Sequence, residues 1–440
     1  MNKKERSELA HWAMEYGLKN GSQQIAVSVS VQREVEIEFR DKQLDKLQES
    51  TQSSMGLSIY VDQRYSGHST NDLRKETLGK FIEQAIASTR YLTVDEFRSL
   101  PDPKYYPQAL DRDLSILDPA YHRVESAGRV KIAADIEAAA MAQSASIIST
   151  TASYSDTHYE NVQVHSNGFN GESEGTFFSA GAEVTVNDQQ GGRPEDWYYA
   201  QTRFFTELPS SQEIGRLAAE RALRKVGQSK IESGVYDLIV ENRAGSRLLG
   251  VLTQPMTARA LQQKRSFLDG KLGSRIASEK LSLIDDPFLL KGMGSRLYDG
   301  EGLAASKRVI IDKGILKNYY IDNYYGKKLG MEPNSGSNSN LVFDYGGRGL
   351  NDIIKDVHKG ILVNGFIGGN SNSTTGDFSF GIVGLLVENG QIVKPVNEMN
   401  ISGNAVEFWN SLAEMGNDPF PYSAWRIPTM FFHGIQFSGI

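Results

Sequence analysis

Residues 265–329 read RSFLDGKLGSRIASEKLSLIDDPFLLKGMGSRLYDGEGLAASKRVIIDKGILKNYYIDNYYGKKL. Turn-forming residues punctuate this stretch: Asp269-Gly270, Asp285-Asp286-Pro287, Asp299-Gly300, Gly302 and Lys313-Gly314. Short apolar runs lie between them, at 281–284 and 309–311, followed by an aromatic run at 319–325. Such spacing predicts short strands joined by tight turns. The acids Asp285, Asp286, Asp299 and Glu301 fall at those turns, where functional groups concentrate.

On the C-terminal side the pattern stays overwhelmingly β from Ser278 to Ile440. Short helices near 350–359 and 404–415 interrupt it. Residues 332–340, EPNSGSNSN, read as a mobile loop because small polar residues dominate them. On the N-terminal side this domain opens at Gly234, with a strand at 236–240 and a helical stretch from Ala244.

The first half alternates helix and strand. Residues 4–20 place Leu9, Trp12, Ala13 and Tyr16 on one helical face, and Asn20-Gly21 stops the helix. Ile25, Val27, Val29, Val31, Val35, Ile37 and Phe39 share one parity. They predict one long strand, or a hairpin broken near Gln32-Arg33, with one face buried. Leu57, Ile59 and Val61 repeat the pattern, and 74–92 return to helical spacing. Pro101, Pro103, Pro107 and Pro119 mark a linker. A helix near 122–143, strands over 145–207 and a helix over 211–227 follow, the last opened by Ser210 and Glu213 as a capping box and closed by Gly227.

The expected class is therefore α+β: a helix-plus-sheet half and a β-rich C-terminal domain. The divisions are 1–100, a linker at 101–121, a second α+β unit at 122–232, and 233–440. Helix–strands–helix occurs twice before residue 230. Two related units sharing a sheet, or plain recurrence of an α+β order, both account for it.

Composition narrows the function. A net charge of −7 argues against a basic nucleic-acid footprint. The absence of cysteine excludes disulfides, a thiol nucleophile and every cysteine-containing zinc site. No apolar run approaches the roughly 20 residues that span a bilayer, and the charged start has no apolar signal core. A cytoplasmic protein is expected.

The words RSFLDGKLG, IDDP, GSRLYDGEG, DKGILKNY and KKLG, then TTGDFSFGIVGLLVENG, ISGN and GND, occur in that order over most of 240–420. In this the chain resembles the PmbA/TldD family, called modulators of DNA gyrase and understood as a cytosolic metalloprotease system of two related subunits. GLSIYVDQRYSG carries a looser likeness in the first half. The resemblance implies that catalytic members carry HExxxH on the helix after the first strand of the C-terminal domain. The histidines there bind zinc and the glutamate acts on zinc-bound water.

Here that helix reads SRLLGVLTQPMTARAL, with Gly250, Val251 and Pro255 where His, Glu and His would stand. None of these side chains binds a metal or moves a proton, and Pro255 disturbs a helix. The family's C-terminal cysteine ligand is also missing, and residues 417–425 offer only Asp418, Tyr422 and Ser423. The chain thus looks like the TldE/PmbA-type subunit, with no catalytic or metal-binding residue of its own and no cofactor. Zinc is expected in a TldD-like partner, and whether this chain counts as an enzyme is left open. A regulator acting on gyrase through protein contacts, and a self-associating dimer, are the alternatives. Expected partners are a TldD-like protein, a second copy and unfolded peptide, with neither direct nucleic acid nor membrane.

Other signals read more plainly as structure. His158 and His165, seven apart on one strand, should face opposite ways. Asp285-Asp286 and Asp299-x-Glu301 could hold a hard cation, but turn chemistry is the stronger reading. Gly376-Asp377-Phe378-Ser379 is either a peptide- or partner-contacting loop or a turn into the next strand. Gly346-Gly347-Arg348-Gly349 lacks the frame of a phosphate loop, and no GxSxG occurs. The candidate peptide or partner contacts are Arg265, Phe267, Asp299, Glu301, Asp377 and Phe378.

Overall fold

The structure, a computed structural model, describes residues 1–188 and 191–440. The chain begins with helix α1, Lys3–Lys19, whose Asn2 cap accepts the Glu5 N–H while Glu5 reaches back to the cap. Three antiparallel strands follow: β1, Gln24–Arg40, β2, Gln43–Val61, and β3, Arg64–Thr70. Helix α2, Lys75–Thr89, closes the unit. The same order then recurs: α3, Ser126–Met141; β4, Ile147–His165; β5, Asn170–Val186; β6, Glu195–Thr202; and α4, Ser211–Leu223.

All six strands form one sheet in the order β3-β2-β1-β4-β5-β6, so the two triplets lie symmetrically about the β1–β4 pair. Ile25, Val27 and Val29 of β1 pack under α1 and α2, while Val35 and Ile37 pack under α3. One parity of one strand thus serves both helix pairs, and all four helices cover the same face. These four helices leave the opposite face, which carries Ser28, Ser58, Asn161 and Gln163, to line a cleft with the second half of the chain.

The second half is built on β7, Gly234–Val240. Helices α5, Ser246–Thr253, and α6, Ala258–Gln262, follow it. A small sheet, β10-β9-β8-β11, comprises β8, Leu283–Asp285, β9, Arg308–Asp312, β10, Ile315–Leu316, and β11, Leu341–Phe343, with α7, Asn323–Leu329, inserted. After α8, Leu350–Lys355, come β12, Lys359–Ser371, β13, Asp377–Glu388, and β14, Gln391–Asn404. Last are α9, Ala405–Asn410, β15, Leu412–Met415, and β16, Met430–Ser438. Strands β14-β13-β12-β7-β16-β15 form one sheet, and β14 also pairs with β16, which closes a barrel around Leu238, Ile361, Phe432 and Phe437. Closure removes sheet edges. Among the described residues no helix is long and apolar enough to cross a membrane.

Of the two readings of residues 24–40, the structure takes the continuous strand. Three expectations need correction. Strand β2 starts at Gln43, far ahead of the alternation at Leu57. Its first part is largely exposed, so no apolar parity marks it. Residues 323–329, read as part of a β pattern, form α7, which is capped by Asp322 and ended by Gly330 at φ 67°. Residues 332–340 are pinned rather than loose. Asn334 accepts the Ile321 N–H at 2.9 Å and donates to the Tyr319 carbonyl at 3.0 Å, and fully buried Asn340 bonds Asp286 and Gly294, each at 2.8 Å. Small amides here do the work of strand hydrogen bonds.

Candidate active-site groove

Helix α5 carries Gly250 and Val251 but ends at Thr253, and Pro255 falls in the 3₁₀ turn Gln254–Met256 that stops it. Gly250 faces open space: a Cβ built there meets only the Gln254 side chain, at 3.9 Å. Val251 is buried in the C-terminal core. Pro255 is buried, and its carbonyl accepts the Ser266 hydroxyl at 2.7 Å. Gly250 and the edge of Val251 therefore line a groove of about 500 Å³, together with Arg247, Gln254, Asn370, Phe380 and Trp425, and Pro255 does not.

The cation in this groove is Arg247. Its guanidinium lies 4.6 Å from the Phe380 ring centroid and donates to the carbonyls of Gly368 at 2.6 Å and Gly369 at 3.2 Å. A zinc ion needs anionic or imidazole donors, and these positions supply none. A fixed positive charge beside them opposes a dication. The residues present do not fit the metal, and no catalytic step is assigned to it on this chain. Asp418 is occupied elsewhere, accepting from the Thr429 N–H at 3.0 Å and hydroxyl at 2.8 Å, and the Ser423 hydroxyl accepts from the Trp425 N–H at 3.1 Å. Tyr422 stacks edge-on against Phe420.

The far wall of the groove is the β12–β13 hairpin. Strand β12 pairs in parallel with β7 only over Gly360–Val363, and beyond that it keeps β13 on one side alone. Gly369 sits at φ 83°, and a Cβ there would lie 2.1 Å from the Ser379 carbonyl oxygen, so only glycine fits.

The six candidate contact residues divide into two places. The Phe267 N–H donates to the Ser373 carbonyl at 2.9 Å, which brings the exposed Arg265 and half-buried Phe267 against the turn before β13. Asp377 in that turn accepts from Thr375 at 2.7 Å and from Asn404 at 3.2 Å, and these bonds lower its pKa. Phe378 stacks on Phe380 inside the core, so its ring packs the domain and is closed to a partner.

Asp299 and Glu301 lie in a different cleft, against the N-terminal sheet. Asp299 turns back onto the N–H groups of Glu301 at 2.9 Å and Leu303 at 3.0 Å, the turn role its sequence implied. Burial pushes the Glu301 carboxyl up to about 7, against the N–H of Asn323 that donates to it at 2.8 Å. Asp285 pairs with Arg308 at 2.5 Å, and Asp286 with Lys307 at 2.9 Å. Among the described residues no group of three or more His, Asp or Glu side chains is placed to hold a metal. Arg348 of the glycine loop pairs with Glu414 at 2.5 Å and with Asp356.

His158 and His165 face opposite sides of β4. His158 meets Glu174 at 2.8 Å and lies against His122, while His165 is buried beside Tyr106. The His122 neighbour is 36 positions away by the numbering and gave no sequence signal. Arg247 also went unnoticed, since a lone arginine after a strand reads as surface.

The architecture is that of known proteins. A Bacteroides thetaiotaomicron protein solved as a proposed modulator of DNA gyrase is 42% identical over the full length of both chains, with a TM-score of 0.97. TldE from Thermococcus kodakarensis shares the fold at 21% identity and a TM-score of 0.87, covering 98% of this chain and all of that one. The metalloprotease PmbA of Escherichia coli O157:H7 is 27% identical over 89% of this chain and 87% of its own length.

Three family models match: PmbA/TldA metallopeptidase domain 1 at residues 26–89, the central domain at 121–226 and the C-terminal domain at 233–439. The chain belongs to the PmbA/TldD metallopeptidase family.

Proposed function

We propose that this chain is the non-catalytic subunit of a two-chain metalloprotease. A TldD-like partner supplies zinc and cuts extended peptide, and this chain completes the assembly. The observation that carries this reading is the residue set on α5: glycine, a buried valine and a buried proline at the ligand positions, with Arg247 beside them. A relative named as a TldD homologue, from Buchnera aphidicola, is 27% identical over 52% of this chain, consistent with two chains of common build. The groove supports a role in holding peptide. Past Val363 the β7-facing side of β12 has no strand among the described residues, and an extended segment adds there through backbone hydrogen bonds.

The test is elemental analysis and peptide hydrolysis on the purified chain, alone and mixed with a TldD-type protein that carries HExxxH. The expected result is neither zinc nor cleavage alone, and both in a co-eluting mixture. Chelator-sensitive cleavage by the isolated chain overturns the proposal.

A further inference from the structure

The bare face of the N-terminal sheet and the C-terminal domain enclose a cleft of about 670 Å³ that shares no residue with the α5 groove. Cavities of this size suit small molecules. Its floor is polar and small: Ser28, Gly56, Ser58 and Asn161. Glu301 and Tyr324 reach in from the C-terminal domain, and Arg98 from the segment between them.

Arg98 is the unusual member. Its guanidinium is held between two rings, 3.4 Å from the Tyr324 centroid and 4.6 Å from that of Tyr65. No carboxylate pairs with it among the described residues, although Arg98 is only half-exposed. Tyr324 itself is fixed by a 2.5 Å hydrogen bond to Asp95. Stacking of this kind fixes the plane of the fork and leaves its N–H edge for an oxyanion. Across the cleft, Glu301 accepts one backbone N–H on one oxygen and, among the described residues, has no cationic partner at salt-bridge distance. The Tyr60 hydroxyl, with no partner in the protein among the described residues, also lines the cleft. A guanidinium, a carboxyl and an unpartnered hydroxyl thus line one cavity.

We propose that this cleft binds a small zwitterion of the α-amino-acid type, with Arg98 receiving its carboxylate and Glu301 its ammonium group. The inference is independent of the peptidase reading, since it uses this chain alone and none of the α5 residues. A free amino acid and a short peptide present the same two charged ends, and the probes below separate them.

Glu301 must be ionised to hold the ammonium group. The groups around it are Asp299 on its own turn, Asp322 and Lys327 of α7 and its cap, Tyr60 of β2 and Tyr106 of the linker. His165 of β4, kept neutral by burial at about 4, adds no charge near pH 7. With a carboxyl titrating at about 7, binding strengthens by about eightfold between pH 6 and 7.5, where the ligand amine is still largely charged.

The test is calorimetric titration of the purified full chain with the twenty amino acids and with triglycine. N-acetyl-leucine and leucinamide, each lacking one charge, are run beside them. Binding of a free amino acid or of triglycine is expected, and the tighter one names the source. Removing either charge from the ligand should weaken binding by about tenfold or more. Arg98→Gln and Glu301→Gln should weaken the free ligand to a similar extent, and Glu301→Gln should not further weaken the acetylated one. The blocked ligands probe the unaltered protein, so misfolding of a variant cannot mimic the result. No binding by any probe at millimolar concentration, or binding indifferent to both charges, overturns the proposal.

Discussion

At the scale of single residues, most acids in the turn-rich stretch are structural, and Glu301 differs because it is half-buried with one backbone donor and, among the described residues, no cation at salt-bridge distance. Its carboxyl titrates near 7 when folded and near 4.5 when unfolded. The folded state therefore holds a proton that the unfolded state has lost between those values. The resulting stability is fully present below about 4.5, falls as pH rises and is gone above about 7. The amount is on the order of 2 kcal/mol once solvent in the cleft is allowed for. Glu301→Gln keeps the acceptor for Asn323 and removes the titration. Urea midpoints of this variant should vary less between pH 5 and 8 than those of the parent, and an unchanged difference would refute the assignment. A second prediction concerns Asp285, buried and paired with Arg308, which also donates to the Ser335 carbonyl at 3.0 Å. Arg308→Ala strands a buried carboxylate and should cost about 3–5 kcal/mol in urea unfolding. Sequence reading found these acids and assigned Asp299 its turn role. It could not see Arg308 as the partner of Asp285, because 23 positions separate them and only the fold joins them.

At the scale of elements, α5 shows why the metal motif is not three substitutions from repair. Gly250 has room for an imidazole, but Val251 points into the core and Pro255 lies beyond the last helical residue. A triple variant Gly250→His, Val251→Glu, Pro255→His buries a carboxylate and leaves the second imidazole in a turn. It should lose at least about 2 kcal/mol of stability and still carry no stoichiometric zinc by elemental analysis. One bound zinc per chain would show that α5 can be rebuilt. The elements best read from sequence were those with one clean buried face, such as β1 and α2, where period and burial coincide. The missed ones lacked that signal. The early part of β2 is exposed on both faces, and α7 is a short helix whose start depends on the Asp322 cap. The groove was legible only as an absence: the missing ligand types stood in the sequence, while Arg247 and the open side of β12 are products of the fold.

At the scale of the whole molecule, buried polar bonds join the two halves, beside ring contacts such as Phe169–Tyr298 and Tyr199–Phe420. Arg203, 2% exposed, donates to the carbonyls of Gly292 at 3.2 Å and Met293 at 2.9 Å and lies 3.8 Å from the Phe177 ring centroid. Arg221 of α4 forms a two-point pair with Glu241 just after β7, at 2.6 and 3.0 Å. The Gln163 amide donates to the Gly300 carbonyl at 2.9 Å, and Asn323 donates to that of Ser99 at 2.8 Å. Buried donors of this kind cannot be released one half at a time without leaving unpaired groups, so the halves should unfold together. Multi-domain chains commonly show separate transitions, which makes the expectation a sharp one. Scanning calorimetry should give a single peak. Arg203→Ala leaves the Met293 carbonyl without the guanidinium, leaves the Gly292 carbonyl only its Ser295 N–H, and removes the stacked cation, a loss of about 3 kcal/mol. For a chain of 440 residues that loss lowers the whole peak by about 3 °C. A parent profile with two peaks, or a variant in which only one half is affected, would mean that the cleft between the halves opens freely and that Arg203 holds only its own side.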